Sequence, residues 1–186
     1  MAWRVLSAVL VLAGICGCTS APVSPSANYP MARQHNEGYS LLYKLMSDES
    51  NVGQIFILQS ANDSLVNLVR NIGATCQAAK NRMDDFARAD PSLQYDVPDL
   101  PYLEEMGRNL QTSDDTNALL FSSGEEFEVR LIFTQAEAMN YATQLCRALG
   151  KEETDPTRKT FLTNLAHQCA NYHDQLMQML AFCPPH

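Results

Sequence analysis

Apolar residues recurring every seven positions constrain this chain more than any other feature. Leu58, Leu65, Ile72, Ala79 and Phe86 form one such series, and Val69, Cys76 and Met83 interleave with it four residues on. That spacing lines one face of an α-helix and cannot line one face of a strand. It predicts a long amphipathic helix from about Asn51 to Ala89, which Asp90-Pro91 ends because a residue before proline is driven out of the helical region. A second series, Ile132, Met139 and Cys146, shares its seam with Leu131, Ala138, Ala142, Leu145 and Leu149. A third, Leu162, Cys169, Leu176 and Cys183, is flanked by Leu165, Ala166, Tyr172, Met179 and Leu180.

The boundaries of these helices are written in capping chemistry. Ser123-Gly124-Glu125-Glu126 has the form of a capping box, a serine hydroxyl with a glutamate three residues on. Gly150 is the expected C-terminal stop. Asp155-Pro156 combines an N-cap residue with proline at the first helical position, and Pro184-Pro185 closes the chain's last helix. A shorter piece from about Asn36 to Met46 carries Tyr39, Leu42, Tyr43 and Met46 on one face, and Ser47 to Gly53 kinks it or joins it to the long helix. Residues 90 to 101 hold three prolines and form a loop, followed by a short helix from about Leu100 to Leu110 capped by Asp99. No segment alternates as a strand does. The expected fold is all-α: an antiparallel helical bundle of three long helices with shorter pieces.

Upstream of this domain lies a different kind of sequence. Arg4 precedes the apolar run Val5 to Ile15, whose one polar member is Ser7, and the run closes on Ile15-Cys16-Gly17-Cys18. This is a charged n-region, an h-region and a small-residue cleavage site. The run is too short to cross a hydrocarbon core, which needs about 20 residues. Its close resembles the lipobox of bacterial lipoproteins, in which an aliphatic residue, a small residue and Gly or Ala precede the modified cysteine. Gly17 and Cys18 fit that pattern, whereas Cys16 stands where Ala or Ser is commoner. The resemblance implies removal of residues 1 to 17, diacylglycerol on the Cys18 sulfur and a further acyl chain such as palmitate on the new amino terminus. Thr19 after the cysteine, in place of Asp, implies sorting to the outer membrane of a Gram-negative cell, facing the periplasm. An ordinary secretory signal cleaved near Ala21 would instead discard Cys18. The resemblance covers about a tenth of the chain and carries nothing about the rest.

Cleavage before Cys18 leaves 169 residues, one domain of ordinary size, with 12 basic against 21 acidic side chains and a net charge of −9. Nucleic acid is thereby an unfavourable partner, since binding it depends on neutralising phosphates with Lys and Arg. A broad second contact with anionic lipid is disfavoured for the same reason. Residues 18 to 35, with Pro22, Pro25 and Pro30 among Ser and Ala, read as a tether joining the lipidated cysteine to a domain at 36 to 186. In a polyproline-like state at roughly 3.1 Å per residue it spans on the order of 50 Å.

The domain's four cysteines, Cys76, Cys146, Cys169 and Cys183, all fall on apolar seams. In an oxidising compartment such a set favours two disulfides. Cys169 and Cys183 on one continuous helix stand about 21 Å apart, beyond disulfide reach, which disfavours the pairing of Cys76 with Cys146 along with theirs. Either remaining pairing ties the first long helix to the last.

Chemistry-bearing motifs are sparse. Cys169, His173 and Met177 stand four apart on the last helix, and a thiolate, an imidazole and a thioether suit copper or haem iron. The same residues at helical spacing are more commonly core packing. Glu125, Glu126, Glu128 and Glu137 invite comparison with carboxylate bundles, yet the Glu-x-x-His of such di-iron sites does not occur in the chain. They are expected to be helix-start charges and a solvated face. There is no Gly-x-Ser-x-Gly, no His-Glu-x-x-His, no phosphate loop and no dinucleotide fingerprint. The expected role is therefore a non-catalytic binding or scaffolding module, with no cofactor beyond the lipid on Cys18, membrane-anchored and facing a protein partner in the cell envelope. In architecture this resembles the small helical lipoproteins that serve secretion and envelope machines as pilotins or accessory factors. A metal- or haem-binding bundle using Cys169, His173 and Met177 is the alternative. Tyr95, Leu100, Tyr102 and Leu103, in and beside the proline-bounded loop, are the candidate interface, Tyr102 and Leu103 foremost.

Overall fold

The computed structural model describes residues 31 to 95 and 102 to 181; the signal segment, Cys18, Leu100 and Cys183 lie outside the described residues. Five α-helices and one 3-10 helix account for nearly all of them, with no strand among the described residues. In chain order these are α1 (Met31–Glu49), the 3-10 helix (Val52–Ile57), α2 (Asp63–Ala89), α3 (Tyr102–Phe121), α4 (Gly124–Glu152) and α5 (Pro156–Ala181).

The apolar seams become one core shared by α1, α2, α4 and α5. Leu65, Val69, Ile72, Cys76, Ala79, Met83 and Phe86 of α2 are all buried. Opposite them lie Leu131, Ile132, Met139, Ala142, Cys146 and Leu149 of α4, and Leu162, Leu165, Ala166, Cys169 and Leu176 of α5. Tyr39, Leu42 and Met46 bring α1 onto the same core. Gly38 permits that approach, because a Cβ there would lie 2.7 Å from Leu149 Cδ2. A three-residue connection, Glu153 to Asp155, folds α5 back along α4 as a hairpin. Asp155 caps α5 as expected, with Arg158 N donating to Asp155 Oδ1 at 2.8 Å.

Several boundaries differ from the sequence reading. α1 runs from Met31 to Glu49, longer at both ends than the expected piece from about Asn36 to Met46. The long helix starts at Asp63, not near Asn51. Residues 52 to 57 form the 3-10 helix instead, and Leu58, whose spacing extended the seam, is 72% exposed. Asn62 supplies the actual cap: Leu65 N donates to its Oδ1 at 2.9 Å. Glu128 of α4 clasps that cap from across the bundle, accepting from Asn62 N at 2.6 Å and Asn62 Nδ2 at 2.7 Å, so it is an inter-helix tie rather than part of a solvated face. The capping box at Ser123 does not form. Gly124 takes a left-handed φ of 57°, Ser123 makes no side-chain cap bond, and Glu126 binds Arg130 instead at 2.8 and 3.0 Å. Gly150 does not stop α4, which runs on to Glu152, and α3 is twice the expected length.

Cys76, Cys146 and Cys169 are free thiols, each buried, so disulfide bracing is not a feature of the described fold. They pack as small apolar side chains. Tyr95 is likewise drawn off the candidate interface: its hydroxyl donates to Met83 O at 2.8 Å and its ring stacks on Tyr43 and Tyr39.

Candidate functional site

Two regions depart from an ordinary amphipathic bundle: a buried ionic node at the α4–α5 turn and an exposed apolar corner where α3 meets the 3-10 helix.

The node is centred on Glu153, whose side chain is fully buried. Arg158 approaches it in bidentate fashion, Nε to Oε2 at 3.0 Å and Nη2 to Oε1 at 3.1 Å, and extends Nη1 to Asp90 Oδ2 at 2.9 Å. Tyr39 donates its hydroxyl to Oε2 at 2.6 Å, and the backbone N of Asp155 donates to Oε1 at 2.8 Å. One carboxylate thus joins α1, the end of α2, and both arms of the α4–α5 hairpin. Burial alone raises a carboxyl pKa, but the Arg158, Tyr39 and Asp155 hydrogen bonds outweigh it and hold Glu153 at about 2. Burial, reinforced by the bond to Glu153, pushes the Tyr39 phenol far above its ordinary range. His35 edges onto the Tyr39 ring at 4.9 Å, with Nε2 3.3 Å from Glu153 Oε2 but outside hydrogen-bond geometry. Both oxygens of Glu153 accept hydrogen bonds from protein donors, so the node braces the bundle.

A second polar contact crosses the core between α1 and α4, where Gln135 Nε2 donates to Glu49 Oε2 at 2.9 Å while the buried Gln135 Oε1 has no partner. Burial raises the Glu49 pKa, the Gln135 bond lowers it, and Asp48 raises it further, for a net rise.

The cysteine, histidine and methionine of the last helix do not converge. Cys169 is buried in the core, His173 is half-buried with Nδ1 3.1 Å from Asp174 Oδ1, and Met177 is exposed. Residues four apart advance roughly 40° around a helix of 3.6 residues per turn, so the stripe rotates from core to solvent over two steps. Burial raises the Cys169 thiol to about 12 and lifts those of Cys76 and Cys146 further, which suppresses the thiolate that binds metal. Among the described residues no group of three His, Cys, Asp or Glu side chains is placed to hold a metal ion.

The apolar corner is the more unusual surface. Apart from Phe133 and Met177, the large apolar side chains exposed among the described residues lie on α3, at both of its ends, or at the end of the 3-10 helix. Tyr102 and Leu103 are 75% and 71% exposed, and Met106 and Leu110 continue one face of α3. At the other end of α3, Phe121 is 88% exposed. Gln59 Nε2 donates to Leu120 O at 2.9 Å, which ties the segment after the 3-10 helix to the end of α3. α3 itself is joined to the bundle through α4, where Arg108 donates to Tyr141 OH at 3.0 Å and lies over its ring. The sequence reading found Tyr102 and Leu103 and missed the corner. The available signal was the adjacent pairs Ile57-Leu58 and Leu120-Phe121, but Leu58 also continued the seven-residue series of α2 and so read as core.

No protein-family model matches the chain, and no curated protein or solved structure shows significant similarity to it. Among the described residues no helix is long and apolar enough to cross a membrane.

Proposed function

We propose that this protein is a lipid-anchored envelope module that binds another protein through the face of α3 and its corner with the 3-10 helix, without catalysis. The observation carrying this reading is the concentration of exposed large apolar residues on α3, whose described residues reach the shared core only through the partly buried Leu119. Contiguous apolar surface rimmed by polar residues is costly to leave in water and marks interaction sites. The lipobox-like Ile15-Cys16-Gly17-Cys18 and the Pro-rich stretch after it supply the anchor at the outer membrane and the reach into the periplasm. Acyl modification at Cys18 is the sole covalent group the proposal requires. The spread of Cys169, His173 and Met177 from core to surface favours this reading over the cofactor-binding alternative.

Tyr102→Ser with Leu103→Ser, and separately Phe121→Ser, are expected to lower partner binding by about tenfold or more while leaving the thermal midpoint within a few degrees, because large aromatic side chains anchor interfaces and these exposed positions carry little core packing. Binding that is unchanged in both variants removes α3 from consideration.

The disulfide expectation belongs to the same proposal. Two bridges in the periplasmic protein, with Cys183 joined to Cys76 or Cys146 and Cys169 to the other, raise the intact mass by about four units on reduction, two hydrogens for each bridge. A mass indifferent to reductant leaves the cysteines as the buried thiols described above.

A further inference from the structure

The hairpin of α4 and α5 carries a groove of about 710 Å³ that neither the ionic node nor the apolar corner uses. Its walls are two facing stripes. Arg147 and Lys151 stand four apart on α4, and Lys159, Thr163 and His167 stand at successive four-residue steps on α5, so each set presents one helix face to the groove. Ala148 and Ala166 line it with small side chains. The volume is within the ordinary range for a small-molecule site.

The charge of this groove runs against that of the molecule. In a chain with net charge −8, Lys44, Lys80, Arg82, Arg88, Arg130 and Arg158 are each ion-paired to a carboxylate. Arg70, Arg147, Lys151 and Lys159 have no ion pair among the described residues, and the last three line the groove; their one polar contact is Lys159 Nζ to the backbone oxygen of Glu153 at 3.5 Å. Arg147 and Lys151 complement the negative end of the α4 dipole, an ordinary stabilising placement. Lys159 lies in the first turn of α5 and brings its ammonium to the Glu153 carbonyl at the C-cap of α4, so the three cations gather at the negative end of that helix. Three unpaired cations facing one another across a groove repel, and a multiply charged anion between them relieves that repulsion.

We infer that this groove binds a phosphate-bearing anion, with Arg147, Lys151 and Lys159 as its charge partners and His167 and Gln144 at its rim. A guanidinium matches two phosphate oxygens at once, and the ammonium groups act as point charges from both walls. A single carboxylate leaves most of the cationic charge unbalanced. The phosphate comes either from a free phosphomonoester or from a phospholipid headgroup within reach of the tether.

The protein as purified from cells is titrated with inorganic phosphate and with pyrophosphate, against sodium chloride at matched ionic strength, while backbone amide shifts are followed. In parallel it is mixed with vesicles of phosphatidylglycerol or of phosphatidylcholine. Saturable shifts confined to residues 144 to 167, stronger with pyrophosphate, are expected. Arg147→Gln and Lys159→Gln each weaken binding about fivefold or more, whereas Lys44→Gln leaves it unchanged, since charged hydrogen bonds contribute on the order of 1.5 kcal/mol. Binding to phosphatidylglycerol vesicles that the same two variants abolish, with weak response to free phosphate, assigns the headgroup as the source. Shifts that chloride reproduces, or that persist in Arg147→Gln and Lys159→Gln, overturn the inference, as does the lack of any response to phosphate in both arms.

Discussion

Arg158→Met lowers folding stability at neutral pH by about 3–5 kcal/mol, the cost of leaving a buried carboxylate without its counter-charge. Glu153 is fully buried, and Arg158 supplies both of its side-chain nitrogen contacts as well as the link to Asp90. Removing the guanidinium leaves Tyr39 OH and Asp155 N as the remaining donors. The pH dependence distinguishes this cause from lost packing. Glu153 has a folded pKa of about 2 against an ordinary 4.5, so its contribution is fully present above about 4.5 and disappears as pH falls through about 2. In Arg158→Met burial dominates and raises that pKa, so the deficit relative to wild type is greatest at neutral pH and shrinks in acid. Urea unfolding at pH 7 and pH 3 measures both terms. Adding Glu153→Gln to Arg158→Met is expected to recover part of the loss, because the orphaned charge is gone. A deficit equal at the two pH values, with no recovery in the double variant, contradicts the role given to the node.

Under the proposed lipid anchor, Cys18→Ser is expected to remove the protein from the outer membrane. Each buried methylene contributes about 0.8 kcal/mol, and stable anchoring takes more than one acyl chain. Without the sulfur there is no diacylglycerol, and without that modification the lipobox-type cleavage and second acylation do not follow. The chain from Cys18 onward has a net charge of −9, and among the described residues no helix is long and apolar enough to cross a membrane. Fractionation of cells carrying each form measures the outcome. Wild type is expected in the outer-membrane fraction and the Cys18→Ser protein away from it as an unlipidated form; equal membrane content in both contradicts lipid anchoring at Cys18.

The core was legible in the sequence because seven-residue recurrence reports burial directly. Leu65 to Phe86, Leu131 to Leu149 and Leu162 to Leu176 lie where their spacing put them. Helix ends were less legible, since a cap depends on backbone angles that composition does not fix. Ser123 has the residue type and spacing of a cap, yet Gly124 turns left-handed and Glu126 goes to Arg130. Asn62, with no capping-box partner, is the residue that caps α2, because Glu128 from another helix holds it. Glu153 escaped for a related reason. Its partner Tyr39 is 114 residues away, and no periodicity relates a carboxylate at a helix end to a phenol on the first helix. The exposed face of α3 was half legible: Tyr102 and Leu103 are apolar residues beside prolines, but Leu58 mimicked a core position until the 3-10 helix turned it outward.

A photoreactive amino acid placed at Phe121 and at Tyr102 in the membrane-anchored protein tests the central claim most directly. With irradiation in living cells, both positions are expected to give the same single crosslinked envelope protein, while a position on the paired, solvated face of α1 such as Lys44 gives none. The product should weaken at the Phe121 probe when Leu120→Ser, its exposed neighbour on α3, is added. Crosslinks that occur equally from Lys44, or none from Phe121 and Tyr102, contradict a binding surface on α3.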